Sequence, residues 1–154
     1  IIGKGIMILI SHRGNINGEN PNLENTPDYI DKAISLGYDV EIDIWKTIDG
    51  LYLGHDEPVF PIELDWLIKR KNNLWIHCKN FESLTELVQT KLRVFYHQKE
   101  EYTIISDNNI WAHNIETADK KCIIPLLSQN EIENWIPTDV YGVCSDYIEF
   151  LKYE

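Results

Sequence analysis

The feature that most restricts the fold is an alternation of element types through the first half of the chain. Short apolar runs suited to buried strands alternate with stretches whose apolar residues recur every three or four positions. The opening Ile1 to Ile10 is apolar, and its near-continuous part, Ile6 to Ile10, is expected to be a core strand that empties into a loop at Ser11-His12-Arg13-Gly14. After an Asn- and Gly-rich loop, Thr26-Pro27-Asp28 supplies a capping hydroxyl and a first-turn proline. The helix they start carries Tyr29, Ile30, Ala33 and Ile34 as its apolar stripe and stops at Gly37. Tyr38 to Trp45 is a second strand, and Asp49-Gly50 a tight turn. Leu64, Leu67 and Ile68 mark a short helix after Pro61, and Leu74 to Lys79 is a third strand. Leu84, Leu87 and Val88 mark a helix started near Asn80. Such alternation predicts a parallel sheet with right-handed crossovers.

Beyond Arg93 the pattern is compressed. Val94 to His97 and Tyr102 to Ile105 are too close for a crossover helix, which takes about a dozen residues. Asp107-Asn108-Asn109 instead predicts a hairpin leading to Ile110-Trp111. Cys122 to Leu127 and Val140 to Cys144 are two further strands, with a helical piece around Glu131 to Trp135. The expected fold is α/β: an abbreviated TIM-type (β/α) barrel with several outer helices shortened or missing, occupying residues 1–154 as one domain. A chain of 154 residues fits a single domain.

In a parallel barrel the carboxyl ends of the strands share one rim, so residues distant in sequence converge there. Strand alternation puts Val40, Ile42 and Ile44 on one face and Glu41 and Asp43 on the other. It likewise places His77 and Lys79 together, opposite Ile76 and Cys78. His12, Glu41, Asp43, His55, His77 and Lys79 can therefore meet. Two histidines, a cation held by carboxylates, and the positive charges of Arg13 and Lys79 would supply the acid, the base and the charge that phosphodiester cleavage requires.

The net charge of -11 argues against broad nucleic-acid binding, since polyanion affinity comes from Lys and Arg. Cys78, Cys122 and Cys144 form an odd set without metal-type spacing and read as buried free thiols, favouring a reducing, cytoplasmic setting. The apolar opening is too short to span a bilayer, so no membrane span is expected. A shortened barrel exposes apolar surface, for which a homodimer is the expected partner.

Five stretches, in order, resemble the signature of the glycerophosphodiester phosphodiesterases: Ser11-His12-Arg13-Gly14, Leu23-Glu24-Asn25-Thr26, Val40-Glu41-Ile42-Asp43, Thr47-Ile48-Asp49-Gly50 and Gly54-His55-Asp56. Gly142-Val143-Cys144-Ser145-Asp146-Tyr147 resembles that family's closing strand, which commonly ends in threonine and aspartate. The resemblance covers Ile8 to about Pro58 well and the middle of the chain poorly. It implies metal-dependent hydrolysis of a small-molecule phosphodiester, with glycerophosphodiesters the default substrate. His12 and His55 would be the acid/base pair, Arg13 a phosphate contact, Glu41 and Asp43 ligands of a divalent cation, and Glu24 a supporting polar residue.

The chain departs from the family on the third strand, where a metal-ligating glutamate commonly lies two residues before a lysine. Here those positions hold His77 and Lys79. Magnesium and calcium, the ions the resemblance implies, prefer oxygen ligands; an imidazole suits manganese or zinc better. His77 is read as a third ligand, with an oxygen site completed by Glu24 while His77 stands aside as the alternative, and Lys79 as a phosphate contact. His97 and His113 are read as structural, and Trp111 as packing or substrate stacking. Two alternatives remain beside the hydrolase: a noncatalytic barrel that binds phosphorylated ligands, and a phospholipid-headgroup lyase like the sphingomyelinase D relatives.

Overall fold

The computed structural model describes residues 6–152. Its mixed α/β fold is built on one ten-stranded sheet. The strands are β1 (Ile8–His12), β2 (Asp39–Thr47), β3 (Gly50–Leu53), β4 (Phe60–Ile62), β5 (Leu74–Cys78), β6 (Val94–Phe95), β7 (Tyr102–Ile104), β8 (Ile110–Ala112), β9 (Cys122–Pro125) and β10 (Gly142–Ser145). Seven run parallel in the spatial order β6-β5-β2-β1-β10-β9-β8. The strands β3, β4 and β7 are antiparallel additions: the Asp49-Gly50 turn leads from β2 into β3 and the Asp107-Asn108 turn from β7 into β8 as predicted, while β4 had no such signal. Ile6 is 94% exposed, so the first strand starts two residues later than its apolar run suggested; the part of that run from Ile1 to Gly5 lies outside the described residues.

The helices are α1 (Pro27–Ser35), α2 (Leu64–Lys69), α3 (Phe81–Leu87), α4 (Gln129–Asn134) and α5 (Glu149–Lys152). Their starts follow the capping chemistry: Thr26 and Asn80 each accept a backbone N–H through the side chain, and Ser128 and Glu131 form a reciprocal capping box. A hairpin replaces the helix between β6 and β8, and a single 3₁₀ turn at Ile115–Thr117 stands between β8 and β9. No helix among the described residues is long and apolar enough to cross a membrane.

Period-two alternation divides the core into faces. Val40, Ile42, Ile44, Leu74, Ile76 and Cys78 pack outward against Ile30, Ala33, Leu67 and Leu87 of the helices. Inward, Ile10, Trp75, Phe95, Trp111, Ile123 and Cys144 form one apolar layer. Trp75 is fully buried, donates its Nε1–H to Asp39 Oδ2 at 2.9 Å and lies under the Arg93 guanidinium at 3.8 Å. Burial with its polar atom satisfied makes it a rigid base for whatever stands above.

The parallel run ends at β6 and β8, and no strand pairing joins those two among the described residues. Ring stacking and the residue Ser106 span the seam instead. Phe95 and Trp111 stack at 4.9 Å, and above them His97 and His113 stack at 4.2 Å. Ser106 also bridges it, donating its N–H to the Val94 carbonyl and accepting the Val94 N–H at its hydroxyl.

Candidate functional site

Strand register assembles the site. His12 lies opposite Glu41 across β1 and β2, and Asp43 lies opposite His77 across β2 and β5. These residues all sit on the inward face, so each lateral pair is in contact: His12 Nε2 is 3.3 Å from Glu41 Oε2, and His77 Nδ1 is 3.2 Å from Asp43 Oδ1. Beyond the end of β1, β3 pairs with β2 and carries the chain to Gly54-His55 over the same rim. Trp45 Nε1–H holds the Gly54 carbonyl at 2.7 Å. Gly54 has φ 153°, and a Cβ there would lie 2.0 Å from the Glu57 carbonyl oxygen, so only glycine permits this turn into His55.

The loop after β1 is equally constrained. Arg13 adopts a left-handed conformation with φ 61°, and its N–H donates to the Glu41 carbonyl at 2.8 Å. A Cβ on Gly14 would meet the Tyr29 ring at 2.4 Å. Arg13 Nη1–H donates to Glu24 Oε1, its Nη2 is 3.3 Å from His55 Nε2, and its Nε is 3.2 Å from Asp43 Oδ2 without hydrogen-bond alignment. Asn25 reads Asp43 twice, donating Nδ2–H to its Oδ2 and accepting its backbone N–H. Asp146, just past β10, accepts from His12 Nδ1 and from Asn15 Nδ2, each at 2.8 Å, and Tyr29 donates to Asn15 Oδ1.

The two carboxylates of β2 are therefore unequal. Burial opposes ionisation of Asp43, but hydrogen bonds from His55 and His77 and the Arg13 charge outweigh it and hold its pKa well below the carboxylate range. Burial and the adjacent Asp43 charge push Glu41 above its ordinary value. Neither Glu41 oxygen has a hydrogen-bond partner, although the residue is 2% exposed. For His12, burial disfavours the charge, but the Asp146 hydrogen bond and the Glu41 carboxylate together raise its pKa above the usual histidine value.

One ligand atom from each of Glu41, Asp43 and His77 lies within 4.8 Å of the other two. Two oxygens, one nitrogen and a buried carboxylate lacking any donor form a set that a divalent cation fits, because it would satisfy Glu41 and balance the charge pair. A cavity of about 350 Å³ opens beside these groups. His12, Arg13, Glu41, His55, His77 and Lys79 all line it. Asp43 sits beneath it, held by Arg13, His55 and His77, while Glu24 lies behind Arg13, facing a neighbouring cleft.

His97 and His113, read as structural from the sequence, also line this cavity, so that all five histidines of the chain do. Asp146, quoted from the sequence only as part of a strand end, is the direct partner of His12.

The solved glycerophosphodiester phosphodiesterase of Thermotoga maritima is similar to this structure over 97% of this chain and 100% of that one, with a TM-score of 0.50 and 15% sequence identity. That likeness is one of fold. No family model matches the sequence, and no curated protein matches it.

Proposed function

We propose that the chain is a metal-dependent hydrolase of phosphodiesters, with glycerophosphodiesters the substrate class. The observation that carries this reading is the meeting, at one rim, of His12 and His55 with a buried Glu41–Asp43–His77 cluster in which Glu41 has no donor. The likeness to a phosphodiesterase fold supports it.

In this reading His12 and His55 exchange the protons of the attacking and leaving oxygens. Asp146 fixes the proton on His12 Nδ1, which leaves Nε2 as the working nitrogen. Arg13 and Lys79 bind the phosphoryl oxygens, and Glu24 holds Arg13 in place. Glu41, Asp43 and His77 hold one divalent cation. When bound, that ion supplies Lewis-acid stabilisation of phosphoryl charge. The donor set admits magnesium or calcium, and the imidazole favours manganese or zinc.

The test is hydrolysis of glycerophosphocholine after metal removal, with magnesium, calcium, manganese and zinc restored one at a time. Turnover that returns with an ion and disappears in His12→Ala supports the reading; binding of the diester without turnover for any ion replaces it with a noncatalytic phospholigand barrel. A cyclic phosphate as the final product would move the assignment to the lyase.

A further inference from the structure

The hydrolase reading leaves His97 and His113 without a role. In the strand order, β1 is central and β6 and β8 are terminal, so the two rings stand across the curled sheet from His12. They are stacked face to face, with an interplanar angle of 16°. Each covers a face of the other, and what the pair offers the cavity is ring edges, each with one N–H donor and one acceptor nitrogen when neutral.

These edges have capacity to spare. His97 Nδ1 lies 3.3 Å from Glu100 and 3.4 Å from the Thr103 hydroxyl, so its proton faces Glu100 and the open Nε2 is an acceptor. Among the described residues His113 makes no side-chain hydrogen bond or ion pair, and neither does the ammonium of Lys79, the next inward residue after His77. An unpaired ammonium lining a cavity is notable in a chain of net charge -11, where carboxylates outnumber cations 25 to 14. The stacked rings cannot both aim in-plane lone pairs at one ion, and the metal-type cluster among the described residues excludes them. The Lys79 ammonium and the His113 N–H are donors without a partner among the described residues, and a phosphate monoester can accept from both while its own O–H, when protonated, donates to His97 Nε2.

We propose that His97, His113 and Lys79 form a second anion subsite, which selects phosphodiesters whose alcohol group carries a further phosphate monoester. The proposal rests on the opposite wall being the diester-cleaving centre. The cavity has room for more than one phosphate group at about 350 Å³. Lys79, one residue past the strand that presents His77, is shared between the two phosphate positions.

The test compares glycerophosphoinositol with glycerophosphoinositol 4-phosphate, which differ only in the second phosphate. The expected kcat/KM ratio favours the 4-phosphate by about tenfold, the scale of one charge-assisted hydrogen bond. His113→Phe retains the stack and removes the donor, so it should bring the ratio to about one. A purely structural stack predicts the opposite: phenylalanine leaves the ratio unchanged, and that result, or equal turnover of both diesters by the natural chain, overturns the subsite. Ring proton–carbon spectra of the natural chain titrated with glycerol 3-phosphate supply an arm that needs no turnover. Shifts at His97 and His113 in the natural chain, with the His97 shift lost in His113→Phe, support the subsite even if no diester is hydrolysed, in which case the hydrolase reading alone fails. Unmoved signals overturn the subsite.

Discussion

His12 donates from Nδ1 to Asp146 at 2.8 Å across a sequence separation of 134 residues, joining β1 to the segment that follows its sheet neighbour β10. Asn15, fully buried, holds the same Asp146 oxygen and is itself held by Tyr29. The histidine is thus oriented by a chain of three side chains.

Asp146→Asn should lower turnover of a glycerophosphodiester by about 10²-fold while leaving KM nearly unchanged, because the loss falls on proton transfer. His12→Ala and His55→Ala should each cost about 10²- to 10⁴-fold with an unaltered circular dichroism spectrum. A collapsed spectrum for either would mean that the histidine supports the fold.

Removing charge from the two β2 carboxylates should act in opposite directions on the metal-free chain. Glu41 has a raised pKa, so its ionisation costs stability as pH rises through the unfolded and then the folded value; Glu41→Gln should raise Tm at neutral pH. Asp43 has a depressed pKa, so its stabilisation is present above the unfolded value and lost as pH falls toward the folded one. Asp43→Asn should destabilise by about 3 kcal/mol at neutral pH, since it leaves the partly buried Arg13 without its counter-charge. Thermal unfolding of the two apo variants checks both signs.

A bound ion should stabilise the fold by about 2.7 kcal/mol at one hundred times its dissociation constant. His77→Glu should move ion preference toward magnesium or calcium by completing an all-oxygen set. Calorimetric titration with each ion measures this directly, and an unchanged order would place His77 outside the coordination sphere.

Burial pushes the Cys78 thiol up to about 12 and the Cys144 thiol well above its usual value. Both, together with buried Cys122, should resist iodoacetamide at about pH 8 in the native chain and react in denaturant. Mass spectrometry of the alkylated chain reads this out.

The first half of the chain was legible because each signal agrees with the next. Thr26 caps a helix, β2 alternates, and the resulting register brings His12 to Glu41 and Asp43 to His77. The rim histidines His97 and His113 were not read as site residues, although the periodicity was there. Each follows a buried inward aromatic by two positions, Phe95 and Trp111, as His12 follows Ile10 and His77 follows Trp75. Two or three residues of strand are too short to establish that alternation from sequence. Asp146 was opaque for another reason: its partner is at the opposite end of the chain, and only the parallel pairing of β1 with β10 brings them together.

The seam between β6 and β8 changes what substitution can do to this protein. Where every strand is joined to its neighbour by backbone amides, the circumference is fixed by strand count and cannot be altered piecemeal. Here the last join is made by the rings of Phe95, Trp111, His97 and His113 together with the Ser106–Val94 hydrogen bonds, without a strand ladder. Bulk at those four side chains therefore bears on the width of the mouth, and a change at one of them can alter it without breaking a strand ladder.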